Sequence, residues 1–137
     1  MKHDEQNPQE VSLESIEDRY KSLIGFIPPR AAARLRWMDQ RDPEFLRRIE
    51  DVRLHGMYPE VFDVTTTQLM LVGILLAQVA EAAKWHIIAA RRAGATWEQL
   101  NAVANLAFLF RGLPAINLAG KLFEEVEKME GEREANG

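Results

Sequence analysis

His86 is the residue with the widest chemical reach in this 137-residue sequence. Its ring titrates near neutral pH, so it can take or give a proton under ordinary working conditions. By three-and-four spacing, Val79, Ala82, Ala83, His86, Ala90 and Ala93 share one helical face, while Glu81, Lys84, Arg91 and Arg92 lie largely elsewhere. An imidazole on a stripe of small apolar residues needs a hydrogen-bond partner, because burial without one is costly. Two readings stay open. In the first, His86 is a general acid or base facing a solvent-connected cavity, with a second polar group within about 3 Å or one water away. In the second, it is a core histidine sealed against a backbone carbonyl. His55, at the approach to a loop, and His3, near the N-terminus, are weaker candidates. No two histidines have metal-ligand spacing, and there is neither a Gly-x-Ser-x-Gly elbow nor a phosphate-cradling glycine loop. The sequence contains no cysteine, which removes disulfides, zinc–thiolate sites and thiol nucleophiles together.

The elements that must position His86 are helices. Ser12 caps a first helix to about Leu23, with Gly25 just past its end and Leu13, Ile16, Tyr20, Leu23 and Ile24 as its apolar stripe. Pro28 and Pro29 break the chain, and a second helix covers roughly Arg30 to Met38. Asp42 and Pro43 form an N-cap and first-position pair for a third helix, through about Leu54, whose core face is Phe45, Leu46, Ile49 and Val52. Gly56 ends it, and residues 57–64 read as a loop. Thr65 and Gln68 have capping-box spacing before an apolar stretch that continues to Arg92, with Gly94 as the stop. One helix across that stretch would be about 42 Å long, uncommon in so small a domain, which favours two helices. Thr96 and Gln99 form a second capping box for a helix from Trp97 to Phe110. After Gly112-Leu113-Pro114 the last helix runs to about Met129. The expectation is an all-α, compact domain of about six helices over residues 11–130, flanked by mobile tails at 1–10 and 131–137.

Composition narrows the partners. Hydrophobic residues make up 47% and charged residues 28%, the balance of a globular protein. A net charge of −4 argues against a nucleic-acid surface. Arg30, Arg34, Arg36, Arg47, Arg48 and Arg53 are interleaved with Asp39, Asp42, Glu44, Glu50 and Asp51, which reads as a solvated helix face rather than a phosphate track. The apolar run Leu69 to Ala77 is too short for a bilayer, and the N-terminus lacks the order of a signal peptide. A cytoplasmic protein without membrane or nucleic-acid partners is expected. Leu69 to Leu76 is hydrophobic on every side apart from Gly73, so it is expected to be buried all round, partly against a neighbouring copy of the chain. A helix-turn-helix around Gly94-Ala95-Thr96 is disfavoured, because the following Trp97 to Val103 segment carries no Lys or Arg for a groove.

His86-x3-Ala90-x3-Gly94-Ala95-Thr96-x-Glu98-x-Leu100, then Ala107-Phe108-x2-Arg111-Gly112-Leu113-Pro114-Ala115, resembles the carboxymuconolactone decarboxylase family, which includes the alkylhydroperoxidase D-like proteins. The resemblance is strongest from about Leu69 to Phe123, and Ile27-Pro28-Pro29 and Asp42-Pro43-Glu44-Phe45 are similar to longer members. It implies an all-α fold, separate apolar and His-bearing helices, and homo-oligomers, commonly trimers or hexamers, with the site near a subunit interface. In the peroxidase branch the site is Cys-x-x-Cys-x3-His. The positions that match its cysteines are Val79 and Ala82, so peroxidase or disulfide-reductase chemistry by that mechanism is excluded. The branch's assisting glutamate falls in a region that reads Thr67-Gln68-Leu69, and the tyrosine often found before the Gly-x-Pro turn is replaced by Phe110.

Two functions follow from the resemblance. The first is a lyase of the decarboxylase branch, which converts a carboxylated lactone into an enol-lactone without metal or organic cofactor. His86 is then the catalytic proton donor, Arg111 a carboxylate anchor, and Trp85, Phe108 and Phe110 pocket walls, with Tyr58 and His55 as caps. The competing readings are an interfacial or surface salt bridge for Arg111 and ordinary core packing for the aromatics. The second function is a non-catalytic homo-oligomer that binds a small carboxylated or lactone-like ligand, or a partner.

Overall fold

Short polar side chains and prolines decide where the helices of this chain begin. The computed structural model describes residues 12–137; the tail expected at residues 1–10, with His3, lies outside them. The described residues form seven helices and no strand. They divide into two compact units, the first ending at Pro59 and the second beginning at Glu60.

The first unit holds α1 (Leu13–Ile24), α2 (Pro29–Arg41) and α3 (Pro43–Met57). Ser12 caps α1 through the Ser15 N–H, and Gly25 ends it at φ 101°, a left-handed conformation that glycine adopts without steric cost. Asp42 caps α3 by accepting from the Phe45 N–H at 3.2 Å, and Pro43 takes the first helical turn. Helix α2 continues three residues past the expected Met38, and α3 runs through Gly56 to Met57. A helical glycine costs about 1 kcal/mol relative to alanine, which a packed helix tolerates.

Ile16, Tyr20, Ile24, Leu35 and Leu46 are buried in this unit. The expected core face of α3 is corrected: Phe45 and Val52 are exposed, whereas Glu50 is only 2% exposed. Its carboxylate accepts from Arg34 Nη2 and Arg53 Nη1, both at 2.8 Å. Arg34 also donates to the Tyr20 hydroxyl at 2.9 Å, and the Arg53 guanidinium lies over the Tyr20 ring. Burial works against the charge of Arg34, but Glu50 and Tyr20 outweigh it and hold that guanidinium above its ordinary pKa. Part of the arginine cluster read as a solvated face therefore converges, half-buried, on one buried carboxylate, with Arg34 Nη1 left without a partner among the described residues.

The second unit holds α4 (Val64–Ala77), α5 (Ala83–Arg92), α6 (Trp97–Arg111) and α7 (Leu113–Asn136). The apolar stretch is two helices, as expected. Val79 sits at φ 53° between them, and the Ala80 N–H closes back on the Leu75 carbonyl at 2.9 Å. This is the turn with which many helices end, here with valine where glycine is usual. Gly94 ends α5 in the same manner at φ 113°, with the Ala95 N–H on the Ala90 carbonyl. The Thr96–Gln99 capping box is present with both of its reciprocal bonds. Close packing of α4 on α6 depends on Gly73, where an added Cβ would lie 3.2 Å from Val103 Cγ1.

Two expectations for this unit are corrected. The N-cap of α4 is Asp63, which accepts from the Thr66 N–H at 2.7 Å, and not Thr65. On the Leu69–Leu76 stretch, Val72 and Leu76 are buried within the chain, whereas Met70 and Ile74 are exposed in it. Finally, α7 does not stop near Met129 but continues through Gly131 to Asn136. Arg91 grips Glu130 with Nε and Nη2 at 2.8 and 2.9 Å, just before that glycine, and the following Glu132, Arg133, Glu134 and Ala135 include strong helix formers.

Candidate functional site

Gln68, Val72 and Leu76 follow one another at four-residue spacing and form the buried stripe of α4. On α5, Ala83, Ile87 and Ala90 are fully buried and His86 is half-buried. The Thr65 hydroxyl donates to the Ala93 carbonyl at 2.8 Å, tying the start of α4 to the end of α5. The two helices thus run antiparallel, which brings the stripe of one against the polar residue of the other.

There His86 Nδ1 lies 2.8 Å from Gln68 Oε1. An amide oxygen only accepts, so with Oε1 facing the ring this contact is a hydrogen bond in the tautomer that carries its proton on Nδ1. In the neutral ring the lone pair then resides on Nε2, the nitrogen that takes up and releases a proton. The partner of Nδ1 is thus a side-chain amide rather than a backbone carbonyl. The other end of the amide differs: Gln68 is 1% exposed, and its Nε2 is buried with no hydrogen-bond partner among the described residues.

Gln68 was missed in the sequence because its spacing from Thr65 assigned it to a capping box. The signal was nonetheless present, in the only ionisable-or-amide residue between Val64 and Ala77. Helix α4 carries no charged side chain, so Gln68 is the polar group it offers to the ring. The turn between the helices accounts for the expected thiol positions. Val79 and Ala82 precede α5, in the turn, rather than extending its His86 face.

The remaining candidates lie on several elements. Trp85 adjoins His86 in sequence and is half-buried, with the Lys84 ammonium 5.6 Å from its ring centroid. Arg111 donates to the Ala77 carbonyl at 3.4 Å, at the C-terminal end of α4. Nine residues separate Ala77 from Gln68, about 13 Å along a helix. The structure therefore does not bring the Arg111 guanidinium to His86 within the chain, and pairs it with a carbonyl rather than a carboxylate. Phe108 is exposed, and Phe110 is 89% exposed within the chain. Tyr58 belongs to the first unit, where burial pushes its phenol pKa up against the opposing influence of Arg53 and Arg19. His55 is exposed in the last turn of α3.

Among the described residues no group of three or more histidines and carboxylates is placed to hold a metal ion, and no helix is long and apolar enough to cross a membrane. The model of the carboxymuconolactone decarboxylase family matches residues 43–125, more than half of the chain. That span includes both Gln68 and His86, and it contains the whole motif from His86 to Ala115. No curated protein and no solved structure matches the chain.

Proposed function

Since the chain belongs to the carboxymuconolactone decarboxylase family, we propose that it is a cysteine-independent, cofactor-free lyase acting on a carboxylated lactone through His86. The observation that carries this reading is the 2.8 Å contact between His86 Nδ1 and Gln68 Oε1. A side-chain partner that fixes one ring nitrogen and assigns proton exchange to the other is the arrangement general acid–base catalysis needs.

In the proposed reaction the bond between the ring carbon and its carboxylate breaks and carbon dioxide leaves. The electron pair moves into the conjugated lactone carbonyl as an enolate. His86, entering as imidazolium, delivers its Nε2 proton to carbon, which completes the enol-lactone, and water reprotonates the ring. No electron acceptor or donor is required. Because Arg111 lies away from His86 within one chain, a cation for the substrate carboxylate comes from elsewhere in the assembled protein.

The assembly is a homo-oligomer, a trimer or hexamer in this reading. Ile74 on α4, Leu106, Leu109 and Phe110 on α6, and Leu113 on α7 are all more than half exposed in one chain. Exposed large apolar side chains in such number favour a protein–protein interface.

The test is incubation of the full chain with carboxymuconolactone, following carbon dioxide release. His86→Ala should lower the rate by about 10²- to 10⁴-fold while leaving the mass of the assembly unchanged. Equal turnover by His86→Ala excludes the histidine, and no turnover by the unaltered chain excludes this lyase activity.

A further inference from the structure

Gln68 has an unfavourable position if its purpose is stability. One side of its amide makes a single hydrogen bond, and the other holds a buried donor without a partner. Leaving a buried donor unsatisfied costs at least as much as an ordinary intramolecular hydrogen bond contributes net. A methionine of similar length would fill the same space between Val72 and the start of α4 without an orphaned N–H. The fold therefore gains little from an amide here, and what the amide does is act on the imidazole.

We propose that Gln68 is a positioning residue for His86, whose amide oxygen holds the ring in the tautomer protonated on Nδ1 and commits Nε2 to proton exchange. This rests on the reading of His86 as the acid–base group, but it concerns a property of the free protein. The neutrality of the partner matters as much as its geometry. A carboxylate at this place would also accept from Nδ1, but it would favour the charged ring; the amide orients the ring without that bias.

Three ion pairs join α5 and the turn before it to α7. Lys84 on α5 pairs with Glu125 on α7 at 3.1 Å, and Arg91 on α5 with Glu130 on α7 at 2.8 Å. Glu81, in the turn before α5, pairs with Lys121 on α7 at 3.1 Å. On α6, Glu98 lies in the first turn and Arg111 in the last, and α4 has no charged residue. Gln68 is thus the group through which α4 acts on His86.

The experiment is nitrogen-15 NMR of the uniformly labelled full chain, with the His86 ring nitrogens assigned by comparison with His86→Ala. The unaltered protein should show a protonated Nδ1 at a pH where the ring is neutral. Gln68→Met should fold with unchanged or higher thermal stability, and its ring should shift toward the Nε2-protonated form that free imidazole side chains favour in water. Gln68→Glu should keep Nδ1 protonated and move the His86 midpoint upward by about one pH unit or more. A ring protonated on Nε2 in the unaltered protein overturns the proposal, as does a tautomer indifferent to Gln68→Met. Should Gln68→Met fail to fold, amide-driven positioning is still decided by the unaltered chain and by Gln68→Glu, whose unchanged midpoint would overturn it. Where turnover of carboxymuconolactone is measurable, Gln68→Met should lower kcat at constant KM. Absence of turnover in every variant speaks against the lyase reading alone and leaves the NMR result standing.

Discussion

Glu50 provides the most demanding test of how the first unit is held together. Its carboxylate is 2% exposed and accepts two hydrogen bonds of 2.8 Å, from Arg34 and Arg53. Glu50→Gln keeps the shape but leaves one oxygen for two guanidinium groups, so one arginine faces an N–H. Each charge-assisted bond contributes about 1.5–3 kcal/mol, and removing one partner of a fully buried ion pair costs about 3–5 kcal/mol. The two arginine side chains are 29% and 35% exposed, so a displaced guanidinium regains some hydration. The expected loss is therefore smaller, about 2 kcal/mol, which corresponds to exchange about thirty-fold faster. Hydrogen exchange read by mass spectrometry on the intact chain checks this locally, with α2 and α3 peptides as reporters and α4–α7 peptides as internal control. Replacing the set together, as Arg34→Met, Glu50→Leu and Arg53→Met, should recover much of the loss, because no charge then stays unpaired. Exchange in α2 and α3 within about threefold of the unaltered chain after Glu50→Gln, under 1 kcal/mol, would refute the claim that the network holds these helices.

Three further outcomes follow from particular contacts. Leu109→Glu with Phe110→Glu should convert the assembly to monomers at micromolar concentration by light scattering; an unchanged mass removes this surface from the interface. Gly94→Ala should lower the denaturation midpoint at constant slope, by about 1–2 kcal/mol, because an added Cβ meets nothing within 4 Å and the cost is that of φ 113° alone. Acid should destabilise the second unit in a defined direction. Lys84 hydrogen-bonding first, and then Lys121, holds Glu125 below its ordinary value of 4.5, and the Thr66 bonds hold Asp63 below 3.8. A depressed carboxylate stabilises the fold fully above its unfolded value, and this is lost as pH falls through the folded one. Thermal unfolding should therefore be insensitive to these groups above pH 4.5 and fall below it, with Asp63→Asn flattening part of that fall.

Several elements were legible because their causes are local. Asp42-Pro43, the Thr96–Gln99 box, Gly25 and Gly94 act through bonds three to five residues away, and each appears where the chain order places it. The division of α4 from α5 was legible too, from length alone. Burial was less so. Hydropathy places Phe45 and Val52 inside and Glu50 outside, whereas two arginines arriving from different helices reverse that order. The same local rules could not find the end of α7, since Glu130 is anchored by Arg91, thirty-nine residues earlier.

The candidate site shows the division at its sharpest. By itself the sequence determined that thiol chemistry is absent, that His86 lies on a helix, and that the motif from His86 to Ala115 belongs to a known family. At the start of α4 its three-residue spacing pointed to a Thr65–Gln68 box, whereas Asp63 caps the helix through the Thr66 N–H. Only the tertiary structure decided what Thr65 and Gln68 bond instead. Once α5 folds back, the Thr65 hydroxyl bonds the Ala93 carbonyl and the Gln68 amide meets the imidazole of His86. A hydrogen bond between residues eighteen apart depends on the path of the chain, and no local spacing rule contains that path.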